Sequence, residues 1–358
     1  MLMDIPSTSL PKPEPPYVKG SQLTVHLHRP PPPTPVIRNN CINTTTDIKE
    51  RRGIDSIDKA LERCNRHPPL QGNLEKPCYV RLELTGPVVQ VGDGRNAQVV
   101  VVQVLHKSEG FNTLKKEKEV QKFQIGDRLV AKIYDPLYFD DEEGSLNPFL
   151  CVDRHYTHES RAYHVLCEMQ GKEIPKFYGS YSLELPSVGH TFRSVRLVLI
   201  QLIRGSNLSV MNVRAFSQER RQSIMRSVID FESRVYERDI LLADLFPRNI
   251  MMKLPQSTLD ANSDEDQHPE KRLIFIDFAA AIFGRIRDDP VPPEYKPNLF
   301  LGQYVSPLLR WKLTPTYNFG DRVNWDWLPW LKTAFEHTID TITPEMQLAY
   351  RDDYDYED

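Results

Sequence analysis

The sequence contains no run of apolar residues long enough to cross a membrane. Its most apolar stretches, 99–105, 197–203 and 273–283, fall well short of the roughly 20 residues that a transmembrane helix needs. The first residues also lack the basic segment followed by an apolar stretch that marks a secretory signal peptide. These absences predict a soluble intracellular protein of the cytoplasm or nucleus.

Cysteine is scarce and scattered. The chain of 358 residues has five cysteines, and no two of them form a C-x-x-C pair. An odd number cannot be fully paired within one chain, and small secreted domains use dense disulfide frameworks. The count therefore favours a reducing compartment.

An excess of charge of either sign is also missing. The formal net charge is −4, which gives no general attraction to nucleic acids or anionic membranes. The sequence therefore predicts neither a nucleic-acid partner nor a membrane partner.

Proline, by contrast, is concentrated near the N-terminus. Two proline-rich segments, 11–16 and 29–35, lie where apolar periodicity is weak. Such a composition buries too little apolar surface to offset its ordering entropy, so residues 1–45 are predicted to be a disordered arm. Residues 29–35, with Arg29 and two prolines at the required spacing, also match the R-x-x-P-x-x-P pattern of ligands for SH3-type partners. Short proline motifs of this kind arise often by chance.

The remaining chain changes from strand-like to helical patterning. Residues 46–78 hold apolar residues at helical spacing, which predicts a short helix and a linker. Alternating apolar residues favour strands across 79–203, whereas 204–345 are helical after Ser217, a predicted N-cap, and 346–358 form an acidic tail. The sequence thus predicts an α+β fold, with a β-rich N-lobe, an α-helical C-lobe and a ligand-binding cleft between them.

A glycine-containing turn lies between two strand-like segments. Gly92 and Gly94 are followed by Ala97 and Val99, in the pattern of a β-hairpin. Glycines there would let backbone N–H groups approach phosphate oxygens without an obstructing Cβ atom. Two glycines in a turn need no ligand, so an ordinary hairpin is the alternative.

Lys132 interrupts an apolar strand of sequence Val-Ala-Lys-Ile. An ammonium group is costly to bury without a partner, so a strand lysine that faces a cleft favours an anion, either a phosphate or a carboxylate. The candidate carboxylate is Glu159, on a helix predicted around 157–167. An exposed lysine and an unrelated helix glutamate are the alternative.

Asp244 and Asn249 lie five residues apart on a loop that follows the long predicted helix. A carboxylate at the first position can orient and deprotonate a hydroxyl group, while an amide oxygen at the second can bind Mg²⁺. Arg238 and Asp239, just upstream, resemble the end of a catalytic triplet. The residue five positions beyond Asp239 is Asp244 rather than an asparagine, so that register is rejected.

Asp277 ends an apolar strand-like run, 273–276. A carboxylate at a strand end, beside the loop that holds Asn249, suits Mg²⁺, a hard cation that prefers oxygen ligands. Either acidic motif alone is compatible with a turn. Together, with an apolar run before each acid, they predict one reaction centre.

From about residue 85 to about residue 330, the chain resembles the protein-kinase superfamily, and in particular kinase-domain proteins of filamentous fungi. The helix motif Glu-x-x-Ala-Tyr-x-x-Leu at Glu159, the loop Asp-Leu-Phe-Pro-Arg-Asn-Ile at Asp244 and the segment Trp-Asp-Trp-Leu-Pro-Trp at 325–330 carry the resemblance. It implies a bilobal kinase-like fold that binds ATP and Mg²⁺ between its lobes.

The resemblance also implies roles for individual residues. Asp244 would be the catalytic base, Asn249 and Asp277 would hold Mg²⁺, and Glu159 would pair with the phosphate-binding Lys132. Arg248 would reach the γ-phosphate. The nucleotide-binding residues that the resemblance implies are Gly92, Gly94, Ala97, Val99, Lys132, Gln201 and Ile203.

Three positions depart from the kinase pattern. Leu242 and Ala243 replace the histidine and arginine of the H-R-D triplet, and Ala279 replaces the glycine of D-F-G. The lysine, the glutamate, both aspartates and the asparagine that the chemistry needs are all present. The resemblance therefore implies a phosphotransferase that acts on a hydroxyl group, with a protein as the favoured acceptor.

Two other functions stay open. The Asp-Leu-x-Pro-x-Asn form of the loop and the absence of Ser, Thr and Tyr from 278–294 favour a small-molecule kinase of the aminoglycoside or choline type. Pro293 and Glu294, which resemble an A-P-E motif, favour a protein acceptor instead. The departures at Leu242, Ala243 and Ala279 also fit a pseudokinase scaffold that binds nucleotide or partners without turnover.

Overall fold

The chain combines a β-barrel unit with a mainly helical unit. The computed structural model describes residues 10–35, 41–113, 123–139, 146–212, 215–254, 273–285, 300–313 and 315–350. The described residues up to His164, together with Lys176–Leu202, form the first unit. The second unit contains Val165–Pro175 and the described residues from Ile203 onward.

The first unit is built around a closed barrel of six antiparallel strands. The strands are β1 (Gln22–Arg29), β2 (Asn73–Gln90), β3 (Gln98–Lys107), β4 (Arg128–Tyr134), β5 (Phe177–Pro186) and β6 (Phe192–Gln201). Their order around the barrel is β1-β2-β3-β4-β6-β5. Val100, Val102 and Val104 of β3 are buried, because alternate residues of a strand face the same side. The apolar alternation of the sequence thus becomes the barrel core.

Four helices accompany the barrel: α1 (Thr45–Arg52), α2 (Ile57–Arg66), α3 (Gly110–Thr113) and α4 (Pro148–Val165). The sequence predicted one short helix within 46–78, whereas the structure has two. Gly53 caps the end of α1, and the side chain of Ser56 accepts the backbone N–H of Lys59 at the start of α2. This capping pair divides the predicted helix.

Residues 10–35 are ordered, which differs from the predicted disordered arm over 1–45. β1 closes the barrel by pairing with both β2 and β5. Tyr17 is fully buried, and its hydroxyl group donates to Asp135 Oδ2 at 2.6 Å. Three alternating apolar residues of β1 are also buried: Leu23, Val25 and Leu27. The prolines flank this strand rather than interrupt it, so composition averaged over the whole segment concealed it.

The candidate SH3 ligand, residues 29–35, begins at the last residue of β1. The backbone carbonyl of Thr34 accepts a hydrogen bond from His158 Nε2 of α4 at 2.7 Å, while Pro32 and Pro35 are exposed. The segment therefore contacts its own unit through Thr34. Its recognition by an SH3-type partner stays a prediction.

The second unit contains the long helix α5 (Gln218–Glu237) and the short strands β7 (Gly205–Asn207), β8 (Ile240–Leu242), β9 (Ile250–Lys253), β10 (Leu273–Phe275) and β11 (Ala281–Phe283). Ser217 is the N-cap of α5, as predicted, because its side chain accepts the N–H of Arg220. β10, β9 and β7 form one small sheet, and β11 pairs with β8 in another. The apolar face of α5 is buried: Ile224, Val228, Phe231 and Val235.

The C-terminal part of the second unit consists of short helices: α6 (Pro307–Arg310), α7 (Thr316–Phe319), α8 (Trp327–Ala334) and α9 (Pro344–Ala349). The acidic tail predicted from residue 346 begins later than expected. Met346 is buried in α9, and the hydroxyl groups of Tyr350 and Tyr236 are 2.9 Å apart. Residues 351–358, and the candidate A-P-E residues Pro293 and Glu294, lie outside the described residues.

No helix in the described part of the chain combines the length and apolar character needed to cross a membrane.

A buried ion pair inside the first unit makes a testable prediction. Asp135 accepts two hydrogen bonds from the Arg193 guanidinium, at 2.6 and 2.8 Å, in addition to the one from Tyr17. Asp135→Ala leaves the buried arginine without its anion, so we expect it to lower the free energy of unfolding by about 3–5 kcal/mol. Urea unfolding monitored by fluorescence measures this loss.

Asp55→Ala is the matched control, because Asp55 pairs with Lys59 at the same 2.6 Å but on the surface. We expect its urea midpoint to stay at the wild-type value, since exposed pairs contribute little. Equal midpoints for the Asp135 variant and the wild type would contradict the importance of the buried pair.

Candidate active site

In the first unit, β4 and α4 bring Lys132 and Glu159 together. Lys132 Nζ donates to Glu159 Oε2 at 2.6 Å, and only 8% of the lysine side chain and none of the glutamate side chain is exposed. The hydroxyl group of Tyr134 donates to the same carboxylate oxygen. A charge pair so deeply buried needs such additional donors, because removing both ions from water is costly. The lysine is thereby held in a fixed position.

Strand alternation explains why these side chains meet. Ala131 and Ile133 of β4 are buried within the barrel core, so Lys132 and Tyr134 lie on the opposite face of the strand. Sequence reasoning identified Lys132 and its candidate partner but missed Tyr134. The signal was present, because a residue two positions along a strand shares a face with the first.

The glycine turn joins β2 to β3, and its glycines adopt left-handed backbone angles, with φ of 148° at Gly92 and 71° at Gly94. The N–H of Gly92 donates to Gln98 Oε1 at 2.8 Å, and Gln98 Nε2 donates back to the Gly92 carbonyl at 2.9 Å. The backbone N–H of Gly92 is therefore hydrogen-bonded within the turn region. Gln98 is fully buried and was missed by the sequence reasoning.

The other predicted residues of the turn lie close in sequence to Gln98. Ala97 is buried, and Val99 is the cross-strand partner of Lys132 in the β3–β4 pairing. An added Cβ atom at Gly94 would meet nothing within 4 Å, so space remains open beside that residue. The β3–β4 register thus places Val99 next to Lys132, and both are predicted nucleotide-binding residues.

Gln201 is the last residue of β6, and the chain passes from the first unit to the second between Leu202 and Ile203. The backbone N–H of Gln201 donates to the Lys176 carbonyl at 2.9 Å, and its side-chain oxygen accepts the Lys176 N–H at 3.1 Å. The amide of Gln201 is thus engaged within its unit. The adenine-binding role of Gln201 and Ile203 stays a prediction.

In the second unit, two antiparallel pairs of strands bring three predicted residues together. Asp244 lies two positions after β8, Asn249 directly precedes β9, and Asp277 lies between β10 and β11. β8 pairs with β11 and β9 pairs with β10, so the connecting loops meet. The N–H of Ile276 donates to the Asn249 carbonyl at 2.9 Å, which ties the loops directly.

Hydrogen bonds orient the polar side chains of this cluster. Asn249 Nδ2 donates to the carboxylate Oδ2 and to the backbone carbonyl of Asp244, each at 2.9 Å. The Arg248 guanidinium also donates to the Asp244 carboxylate. Asp277 adopts a left-handed φ of 64°, and its Oδ1 accepts the N–H of Ala279 at 3.3 Å. Non-glycine residues rarely adopt such angles, and they concentrate at functional sites.

Asp244, Asn249 and Asp277 line one small recess, whose volume of about 10 Å³ is enough for a water molecule. Its lining is otherwise apolar and includes Phe231, Leu242, Phe275 and Phe278. Leu242 and Phe278, which the sequence analysis singled out, thus border the same recess. The recess therefore brings three polar side chains together within an apolar lining.

The oxygen atoms of this recess fit Mg²⁺. Because Nδ2 of Asn249 donates to Asp244, the amide oxygen Oδ1 is the atom that can face a cation, beside the carboxylate of Asp277. Mg²⁺ is usually bound through one or two protein oxygens together with water and phosphate. Within the described ranges, no three His, Cys, Asp or Glu side chains form a metal cluster.

Asp239, which belongs to the rejected register, makes contacts with other parts of the second unit. Its Oδ1 accepts the N–H of Gly302 at 2.8 Å and lies 3.3 Å from the guanidinium of the buried Arg285. These contacts join Asp239 to the residue after β11 and to residue 302. Asp239 does not line the recess.

Comparison with known proteins gives little further guidance. No protein-family model matches the sequence, and no curated protein matches it. Among solved structures, one match is the crystal structure of Rad53 1–466 in complex with AMP-PNP, with a TM-score of 0.33, 14% sequence identity and coverage of 57% of this chain and 39% of that chain. This chain thus covers less than half of that one. Because similarity at this level identifies no function, the function must be inferred from the side-chain contacts of the buried ion pair and of the recess.

The Lys132–Glu159 pair makes a second prediction. Tyr134→Phe removes a donor to the buried carboxylate, and we expect it to lower the free energy of unfolding by about 1.5–3 kcal/mol, because hydrogen bonds to charged groups are the stronger ones. Tyr138→Phe is the control, since Tyr138 donates to the neutral carbonyl of Glu14 at 3.2 Å. Its expected cost is about 0.5–1.5 kcal/mol. Equal losses in urea unfolding would argue against a special role for the charge pair.

Proposed function

We propose that this protein is an ATP- and Mg²⁺-dependent phosphotransferase of the protein-kinase type, which transfers the γ-phosphate to a hydroxyl group, with a protein as the favoured acceptor. The observation that carries the proposal is the convergence of Asp244, Asn249 and Asp277 on one recess. This set contains a base for the acceptor and two oxygen ligands for a metal, and it occurs in the same chain as an anchored lysine.

The proposed role of Lys132 is to bind the α- and β-phosphates. Its ammonium group is held by Glu159, so little side-chain entropy is lost when a phosphate binds. The carboxylate also offsets part of the cost of removing the ammonium group from water. A protonated and preoriented ammonium group is what the polyphosphate of ATP requires.

The proposed role of Asp244 is to orient the acceptor hydroxyl group and accept its proton. About 29% of its side chain is exposed, so an acceptor can approach it. The amide of Asn249 and the guanidinium of Arg248 fix the carboxylate in place. In the same reaction Arg248, with 54% of its side chain exposed, supplies positive charge near the γ-phosphate.

Asn249 and Asp277 would hold Mg²⁺, which supplies neutralisation of the charge that develops on the phosphate oxygens during transfer. In this proposal, the left-handed backbone of Asp277 aims its carboxylate at the recess. Asn249 has a double function, because its amide nitrogen orients the base while its amide oxygen faces the metal.

A second candidate function is a scaffold that binds nucleotide without turnover. Two contacts favour it: Gln98 occupies the amide of Gly92, and Arg248 is paired with Asp244. During phosphotransfer, the Gly92 N–H would exchange Gln98 for a phosphate, and Asp244 would exchange Arg248 for the acceptor. The two functions differ in turnover rather than in nucleotide binding.

Nucleotide binding is tested by thermal denaturation with ATP, in the presence and absence of Mg²⁺. ATP with Mg²⁺, at a hundredfold excess over its dissociation constant, should stabilise the folded protein by about 2.7 kcal/mol, and the same ATP concentration without Mg²⁺ should stabilise it less. Lys132→Met should reduce the shift, whereas Lys59→Met, which alters an exposed lysine, should retain it. No shift in the wild-type protein would remove the basis of the proposal.

Turnover is tested with Asp244→Asn. We expect this variant to bind ATP as the wild type does but to lose at least about a hundredfold in phosphotransfer, because it lacks the general base. Asp326→Asn is the control, since Asp326 makes no side-chain capping bond at the start of α8. Activity is measured on a peptide array and on a panel of small alcohols, which separates the two acceptor classes. Nucleotide binding with no turnover of any acceptor would favour the scaffold.

A further inference from the structure

Cys41 and Cys151 meet in the first unit although they are far apart in sequence. Their side chains interact with each other, and both are buried. The backbone holds them there through Asn147, whose N–H donates to the Cys41 carbonyl at 2.7 Å and whose carbonyl accepts the N–H of Cys151 at 3.0 Å. A bridge between Ile42 and Leu146 adds to this connection. These backbone contacts hold the Cys41 segment against the start of α4, the helix that carries Cys151.

A positive charge faces one of the two sulfur atoms. Nη1 of Arg154, on the same helix as Cys151, lies 3.9 Å from Cys41 Sγ. The hydrogen bond from Cys151, together with the Arg154 charge, lowers the pKa of Cys41 to about 7 against the opposing effect of burial. The same hydrogen bond and burial raise the pKa of Cys151. Thiolates rather than thiols are the nucleophiles of cysteine chemistry, so Cys41 is the reactive member of the pair.

The other cysteines differ from this pair. Burial raises the pKa of Cys64 to about 12 and also raises the pKa of Cys78. Cys167 is exposed, and all five cysteines are free thiols. The chain therefore contains one thiol with a lowered pKa and a second thiol beside it, and a low-pKa thiol next to a resolving cysteine is one feature of redox sensors.

We propose that Cys41 and Cys151 form a reversible redox pair, which hydrogen peroxide oxidises to an intramolecular disulfide. The Cys41 thiolate attacks one peroxide oxygen, the O–O bond breaks, and the products are Cys41 sulfenic acid and hydroxide. The sulfur of Cys151 then attacks the Cys41 sulfur, the S–S bond forms, and the hydroxyl group leaves as water with the Cys151 proton. The two thiols are oxidised and the peroxide is reduced. A small dithiol reverses the bond by exchange.

The disulfide would join the segment before α1 covalently to the first turn of α4, the helix that carries Glu159. In a reducing compartment such bonds are transient and typically regulatory. This inference is independent of the proposed phosphotransfer, because its tests read the thiols and not the activity.

The test uses the full-length reduced protein, exposed to increasing hydrogen peroxide, then blocked with N-ethylmaleimide and digested without reduction. Mass spectrometry should detect a linked peptide that contains Cys41 and Cys151, and dithiothreitol should abolish it. Cys167→Ser should still form this link, whereas Cys41→Ser should not. Both cysteines recovered as separate alkylated peptides, or Cys41 recovered as a sulfinic acid without the link, would overturn the proposal.

A second measurement needs no cysteine variant. The groups facing Cys41 are Cys151 and Arg154, so the rate of Cys41 alkylation by iodoacetamide should rise with pH around a midpoint of about 7, below the ordinary thiol value of about 8.5. Arg154→Gln should move the midpoint upward. A midpoint at the ordinary value in the wild type, unchanged in Arg154→Gln, would overturn the assignment of Cys41 as the reactive thiol.

Discussion

The buried ion pair between Lys132 and Glu159 is the contact that fixes the position of the only lysine that the sequence places in the candidate site. Two ions removed from water each lose several kcal/mol of hydration, which only excellent geometry can offset. Here a 2.6 Å contact and the Tyr134 hydroxyl group provide that geometry. The helix that carries Glu159 is also tied to the barrel by Tyr156, whose hydroxyl group lies 2.6 Å from Nδ1 of His28 on β1. The strand that closes the barrel therefore also helps to fix the glutamate.

In the second unit, the polar side chains of the recess come from loops rather than from a strand and a helix. Loops are held in place by what they connect, and here the strands that bound one loop pair with the strands that bound the other. The amide nitrogen of Asn249 orients Asp244, and in the proposed function the amide oxygen of the same side chain would face the cation. Disrupting either pair of strands would displace Asp244 or Asp277 and would also weaken a small sheet. Position and chemistry are thus set by the same few hydrogen bonds.

Sequence reasoning worked where a single physical rule decides. The cost of burying an ammonium group led from Lys132 to Glu159, and the capping preference of serine located the start of α5. It did not work where a distant side chain decides. Prolines on both sides concealed β1, and Gln98 binds the amide of Gly92 in a way that no local pattern encodes. The contact between Cys41 and Cys151 depends on tertiary structure alone.

The central claim is that the protein binds ATP together with Mg²⁺, and that this binding depends on both Lys132 and Asp277. Calorimetric titration of ATP into the wild type, Lys132→Met and Asp277→Asn, each with and without Mg²⁺, tests it most directly. The account predicts that each variant weakens binding of Mg²⁺·ATP by about tenfold or more, or about 1.4 kcal/mol. It also predicts that Asp277→Asn has little effect when Mg²⁺ is absent. Weakening in one variant alone, with wild-type affinity in the other, would contradict it.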